Sequence, residues 1–347
     1  MKVTTVINLP YEQKRDFYLQ LSDIKKAAHL LQTGGLVAFP TETVYGLGAD
    51  AINEAAVRKI FQAKGRPSDN PLIVHLAKLE QIEQWVSEVP SVARQLMERF
   101  SPGPITYVMK HRGDFATSVT AGLTTVGIRI PDHPLALALL ELADVPIAAP
   151  SANRSGRPSP TSASHVEEDL NGKIDLILDG GSTSVGVEST VIDVTGQTPV
   201  LLRPGGITLE DLQSVVGDVL VDTALQEQPR SPGMKYRHYA PKGEMWLVTG
   251  EDMVKKIQTI SREKMKSGYR VGILTTSENE DKYTGAQIVV CGSRTSPESV
   301  AKGLYDVLRK FDLMDIDFIL SETFPLSGLY LSVMNRLNKA AEGKTIS

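Results

Sequence analysis

The sequence predicts an α/β protein in two parts: an N-terminal domain on a large twisted mixed sheet, and a smaller C-terminal parallel α/β domain of Rossmann-like type. Three observations carry that expectation. Short apolar runs alternate with amphipathic helical periods over residues 1–222. The pattern stops at 223–243, TALQEQPRSPGMKYRHYAPKG, a polar stretch rich in proline and glycine that reads as a linker. From 244 to 347 strands and long helices alternate simply, the rhythm of a parallel sheet with right-handed crossovers. A chain of 347 residues fits two domains.

Taken in order, Ser22 is placed to cap a helix whose apolar positions Ile24, Ala27, Ala28 and Leu31 recur at helical spacing, with Gly34 ending it. LVAF at 36–39 follows as a buried strand. Asn53 opens a second helix with Val57, Ile60 and Phe61 on one face and Gly65 just past its end. PLIVH at 71–75 has strand character, and a helix from Ser91 to Phe100 stops at SPGP. ITYVM, then VGIRI at 126–130, PIAAP at 146–150, IDLIL at 174–178, STVIDV at 189–194 and PVLLR at 199–203 read as strands. Helices fall between them at 134–143, 162–170 and 208–216. In the last part, MWLVT, RVGILT, QIVVC and DFILS are strands, and 251–266, 297–311 and 329–341 are helices.

Composition narrows the function. Apolar residues at 41% and charged residues at 22% are ordinary for a soluble globular protein. A formal net charge of −4 excludes an overall electrostatic pull toward nucleic acid, though not a local basic pocket. Cys291 is the single cysteine, so neither an intrachain disulfide nor a cysteine-built zinc site can form. The opening MKVTTVINLPYEQKRDF has no apolar core or small-residue cleavage site. The most apolar stretch, PLALALLELADVPIAAP, is broken by Glu141, Asp144 and Pro146. A soluble, cytoplasmic protein without a membrane segment is expected.

Four segments of the first domain carry chemistry: PTETVYGLG at 40–48, KGRPSDNPLIVH at 64–75, APSANRSG at 149–156 and VESTVID at 187–193. Each sets hydroxyl, amide or cationic side chains at or just after the carboxyl end of an apolar strand, where α/β sheets usually bind ligands. Lys64, before Gly65 and Pro67, also fits ordinary helix termination. Arg66, past the cap and beside a rigid proline, fits that reading less well. Two fixed cations at the mouth of a pocket suit a polyphosphate. Ser151 and Asn153 would by themselves read as a turn. With Arg154, Arg157, Ser159 and Thr161 they make a donor-rich loop suited to phosphate or ribose. Arg203, ending a strand before Pro204, is weak by itself. No GxxxxGK[ST] loop and no Ser-His-Asp or Cys-His arrangement is visible.

KGR followed at distance by SAN, with PTETVYGLG before and ESTVID after, resembles the YrdC-like family of threonylcarbamoyl-AMP synthases. The linker SPGMKYRHYAPKG and the α/β tail resemble its long two-domain form. One departure is Ser101 before PGP, where many relatives carry an aromatic residue; it touches packing more than chemistry. The resemblance implies a YrdC-like catalytic domain at 1–222, a linker or lid at 223–243 and the Rossmann-like domain at 244–347. It implies condensation of L-threonine, bicarbonate or CO2 and ATP to threonylcarbamoyl-AMP and pyrophosphate, with Mg²⁺ accompanying the phosphates. A separate transferase complex would consume the product in modifying tRNA, with at most weak tRNA contact by this chain.

By the same resemblance Lys64, Arg66, Ser151 and Asn153 form the catalytic set, with Arg203 also at the triphosphate and Asn70, Thr125, Ser159 and Thr161 further along the nucleotide. Threonine falls to Thr43, His75, Arg129 and Ser189, with Arg129 the bidentate partner of its carboxylate. A surface arginine and a core histidine are the plainer readings of Arg129 and His75. The linker run Lys235–Tyr239, basic and aromatic, suggests a lid that brings Tyr236, His238 and Tyr239 to the nucleotide and excludes water. A spacer that merely packs is the alternative. The rival function is an RNA-binding module without catalysis, for which RKIFQAKGR at 58–66 is locally basic but clustered stacking aromatics are missing. A hydrogenase-maturation carbamoyl transferase shares the domain but needs cysteine-rich zinc fingers, which one cysteine excludes.

Overall fold

The computed structural model describes residues 3–11, 13–222 and 239–347. Residues 223–238, most of the expected linker and with them Tyr236 and His238, lie outside the described residues. The chain divides into two compact units. One holds the residues up to Ser155, Pro160–Ser184 and the chain from Glu188; the other holds Gly156–Ser159, Val185–Val187 and, among the described residues, the chain from Tyr239.

The first unit is built on one mixed sheet. Its strands are β1 Thr5–Asn8, β2 Val37–Phe39, β3 Gly46–Asp50, β4 Ile73–His75, β5 Ile105–Lys110, β6 Thr125–Arg129, β7 Ile147–Ala148, β8 Leu176–Asp179, β9 Thr190–Asp193, β10 Val200–Arg203 and β11 Leu220–Val221. They lie in the order β1-β8-β2-β3-β7-β4-β6-β5-β9-β10-β11. β4 runs parallel to β6 and β5 to β9, while β3 with β7, β7 with β4, β5 with β6 and β9 with β10 are antiparallel. Successive strand residues face opposite sides, and two apolar clusters result. Leu36 and Ala38 join the one that includes Val57, Ile60 and Leu96, whereas Val37 and Phe39 join the one that includes Ile24, Leu31 and Leu139.

The helices follow their apolar stripes. Ser22–Gln32 buries Ile24, Ala27, Ala28 and Leu31. Ser22 is its first residue rather than its cap, because an unforeseen helix, Arg15–Gln20, leads straight into it and Leu21 both ends the one and caps the other. Glu54–Lys64 starts where Asn53 accepts a hydrogen bond from Ala56 N and ends at Gly65 in the left-handed region, φ 63°. Helices Ser91–Phe100, Pro134–Ala143, Ala163–Leu170 and Leu209–Val216 complete the amphipathic set.

In the second unit β12 Glu244–Val248, β13 Val271–Thr275, β14 Gln287–Val290, β15 Phe318–Glu322 and β16 Thr345–Ile346 lie in the order β14-β13-β15-β12-β16, all paired in parallel. Helices Met253–Lys266, Pro297–Leu313 and Gly328–Ala340 make the connections. At the end of β15 the fully buried Glu322 accepts hydrogen bonds from Thr275 Oγ1 (2.6 Å), Asn279 Nδ2 (3.0 Å) and Tyr283 OH (2.8 Å), and pairs with Arg294 at 2.6 Å. Such a charge is kept in a core by full satisfaction of its lone pairs. No described helix is long and apolar enough to cross a membrane.

Candidate active site

Of the side chains singled out above, His75, Thr125, Arg129 and Arg203 stand on β4, β6 and β10, Lys64 ends a helix, and the other described ones stand outside helices and strands. They do not all sit at carboxyl ends, as the sequence suggests. Antiparallel neighbours bring the start of one strand beside the end of another. Gly46, opening β3, bridges to Ser151 just after β7, and Ser189, just before β9, meets Arg203 at the end of β10.

A first group forms around Lys64. It ends its helix almost fully buried, 2% exposed, and its Nζ donates to Ser151 O at 2.5 Å and Asn153 O at 2.6 Å. Ser151 Oγ donates to Asn153 Oδ1 at 2.5 Å, and Ser155 N donates to Lys64 O at 2.9 Å. The KGR helix end and the SAN loop are thereby one unit of structure. Arg66 lies just beyond the cap, its Nη2 donating to Asn70 O at 3.1 Å and its guanidinium 5.8 Å from the Phe61 ring centroid. Beside it opens a hollow of about 440 Å³ lined in part by Phe61, Gln62, Pro67, Ser68 and Ser118. Asn70 is fully buried, yet neither its Oδ1 nor its Nδ2 has a hydrogen-bond partner. A buried amide without partners is costly, and it is the kind of group a bound molecule satisfies.

A second group surrounds Arg129. His75 and Arg129 are paired across the parallel strands β4 and β6. Arg129 is 4% exposed, donates Nε to Gly103 O at 3.4 Å and places Nη2 2.7 Å from Glu42 Oε1. A surface arginine it is not. His75 is also buried, its ring meeting Phe39 edge-on at 6.4 Å, and its Nδ1 has no partner. Burial, helped by the positive Arg129, holds the His75 imidazole down to about 3, so it is neutral at any ordinary pH. Thr43, fully buried, shares a 2.8 Å hydroxyl contact with Thr41 Oγ1, which in turn donates to Val44 O at 2.7 Å. Burial holds His133 nearby down to about 4, against the opposing pull of the Glu42 charge.

Ser189 and Arg203 make a third group, with Arg203 Nη2 donating to Ser189 O at 2.8 Å and to Ser189 Oγ at 3.2 Å. Ser189 Oγ lies 2.8 Å from Thr106 Oγ1 on β5. Thr125 opens β6, paired with Lys110. Thr161 N donates to His165 Nδ1 at 3.3 Å, and the adjacent Pro160 O accepts from Tyr45 N at 2.8 Å. Ser159 and Tyr239 belong to the second unit. Ser159 is buried there, and Tyr239, with φ 63°, packs its ring 5.2 Å from that of Tyr305. The residue the sequence reading passed over is Glu42. It sits inside the quoted TET triplet, but nothing local in the sequence says that its carboxylate faces Arg129.

Cations, hydroxyls and an orphaned amide thus stand in three groups of the first unit, with no Ser-His-Asp arrangement among them. Such a set can bind and polarise anions.

Comparison with known proteins adds the relatives. A family model described as Telomere recombination matches residues 29–205, and one described as Threonylcarbamoyl-AMP synthase, C-terminal domain, matches 207–342. A Bacillus subtilis threonylcarbamoyl-AMP synthase is 53% identical over 93% of this chain and 94% of that protein. A Pyrococcus abyssi protein of the same name is 47% identical over 92% of this chain and 94% of its own length. A solved structure of Pyrococcus abyssi Sua5 complexed with L-threonine superposes with a TM-score of 0.92 at 45% identity, covering 99% of both chains.

Proposed function

The chain belongs to the threonylcarbamoyl-AMP synthase family, and on that premise we propose that it joins L-threonine, bicarbonate or CO2 and ATP into threonylcarbamoyl-AMP, releasing pyrophosphate. The observation that carries the reading is the Lys64 ammonium tied to the SAN loop, with Arg66, the orphaned side-chain amide of Asn70 and the buried Arg129 in the same unit. The carbamate of threonine is an anion and attacks the α-phosphorus without a general base. The bond from that phosphorus to the bridging oxygen breaks, and pyrophosphate leaves with the electron pair. What the protein must supply is charge neutralisation and in-line placement. Lys64, Arg66 and Arg203 neutralise the phosphates. Ser151 and Asn153 hydrogen-bond to them, with Asn70, Thr125, Ser159 and Thr161 further along the nucleotide. Thr43, His75, Arg129 and Ser189 hold threonine, the neutral His75 serving as a hydrogen-bonding group.

Mg²⁺ would ride on the phosphates. Among the described residues no group of three His, Cys, Asp or Glu side chains is arranged to hold an ion, and the side-chain oxygens of the SAN loop, Ser151 Oγ and Asn153 Oδ1, are neutral. That donor set fits an ion carried mainly by phosphate and water. The domain borders proposed are 1–222 and 244–347 with a linker or lid at 223–243; the two family matches, 29–205 and 207–342, divide the chain earlier. The product would pass to a tRNA-modifying transferase complex in the cytoplasm. An RNA-binding module without catalysis is not favoured by any of these observations.

The deciding experiment incubates the protein with ATP, Mg²⁺, bicarbonate and each amino acid in turn. Pyrophosphate release is expected only when bicarbonate is present, and most with threonine. Serine should follow, because one methyl contact is worth only ~1–3 kcal/mol. Release that ignores the amino acid would refute the reading.

A further inference from the structure

Glu42 is 6% exposed, and neither of its carboxylate oxygens has a hydrogen-bond partner. Its close contact is Arg129 Nη2 at 2.7 Å, reached at an angle that makes no hydrogen bond, so Nη2 is left without one as well. An ion pair buried for stability offsets its desolvation by filling its remaining lone pairs and N–H groups. The Glu322–Arg294 pair of the second unit does this, with three further donors on the carboxylate. The Glu42–Arg129 pair does not. Its backbone is nonetheless well fixed, since Ser184 N donates to Glu42 O at 3.1 Å and Thr41 and Thr43 flank it in a hydroxyl-bonded turn.

A free α-amino acid is a zwitterion, with its ammonium and carboxylate one carbon apart. A buried cation and a buried anion side by side, each short of hydrogen bonds, are its complement. We propose that Glu42 binds the substrate ammonium and determines that an α-amino acid, rather than an α-hydroxy acid, occupies the site. The incoming carboxylate takes Arg129 and the ammonium takes Glu42, so each half of the poorly bonded pair is exchanged for half of the substrate. This rests on the reading of Arg129 as the carboxylate partner in a threonine-activating enzyme. When the amine has become a carbamate its nitrogen keeps one N–H, which still donates to Glu42, while the new anionic oxygens are repelled from it.

The test compares L-threonine with 2,3-dihydroxybutanoate, in which a hydroxyl replaces the ammonium, by calorimetry on the full-length protein. The wild type should prefer threonine by about tenfold or more. Glu42→Gln should lose most of that preference, through weaker threonine binding, while its ATP affinity stays unchanged. Equal binding of the two ligands by the wild type overturns the proposal, as does a Gln variant that keeps the full preference. If Glu42→Gln does not fold, Glu42→Ala takes its place, with the same loss of preference expected. A wild-type protein that binds no threonine and releases no pyrophosphate refutes the functional reading instead, which separates the two failures.

Discussion

Lys64 closes a helix and fastens a loop with the same side chain. Its backbone ends Glu54–Lys64 before Gly65, while its ammonium reaches the carbonyls of Ser151 and Asn153. Helix termination and anion binding, which compete as readings of the sequence, are compatible in the structure. The helix end aims the charge, and the carbonyl contacts hold the SAN loop beside it. Lys64→Ala removes both the charge and the fastening. Its pyrophosphate release with threonine should fall by about 10²–10³-fold, the scale of losing one preorganised donor at a developing charge. A folded variant with near wild-type turnover would remove Lys64 from the chemistry. Lys64, Ser151 and Asn153 were legible because each belongs to a contiguous motif. Glu42 was not, because its meaning depends on Arg129, a partner far along the chain.

At the scale of elements, amphipathic helices and β-branched strands were legible, since their burial follows directly from spacing. Ser91–Phe100 and the strand ending at Arg203 lie where the apolar pattern puts them. Gly46–Asp50 escaped notice because glycine is depleted in strands, and only Leu47 and Ala49 mark the apolar face of GLGAD. Its glycines answer a packing need instead. A Cβ on Gly48 would stand 2.9 Å from the Phe39 ring and 3.0 Å from Ile147 Cγ2, so β3 can lie between β2 and β7 only if that position is bare. Gly48→Val should therefore destabilise the protein by about 1–3 kcal/mol or more, seen as a lower urea midpoint. It should also disturb Thr43 and Ser151, which flank the start of the same strand. An unchanged midpoint would mean that the neighbours can yield.

The whole molecule carries its site as a pH liability. Buried His75 is held down to about 3, whereas in the unfolded chain it titrates at the ordinary 6.5. As pH falls below 6.5 the unfolded state takes up the proton first, so stability is complete above that value and drains as pH falls toward 3. The slope is about 1.4 kcal/mol per pH unit for one such group. Urea midpoints measured from pH 7 to pH 5 should decline, and His75→Asn should decline less steeply. Equal slopes for the two proteins would show that His75 is not held neutral by the fold.

The sequence by itself determined the α/β class, the long parallel tail, the longer helices and the contiguous motifs singled out above, because periodicity, capping residues and contiguous motifs are local properties of a chain. Only the tertiary structure decided which ends of which strands face one another, that GLGAD is a strand, and that Glu42 and Asn70 are buried short of partners. Those facts depend on strand order and burial. Desolvation and long-range pairing exist only once segments distant in the chain have been brought into contact.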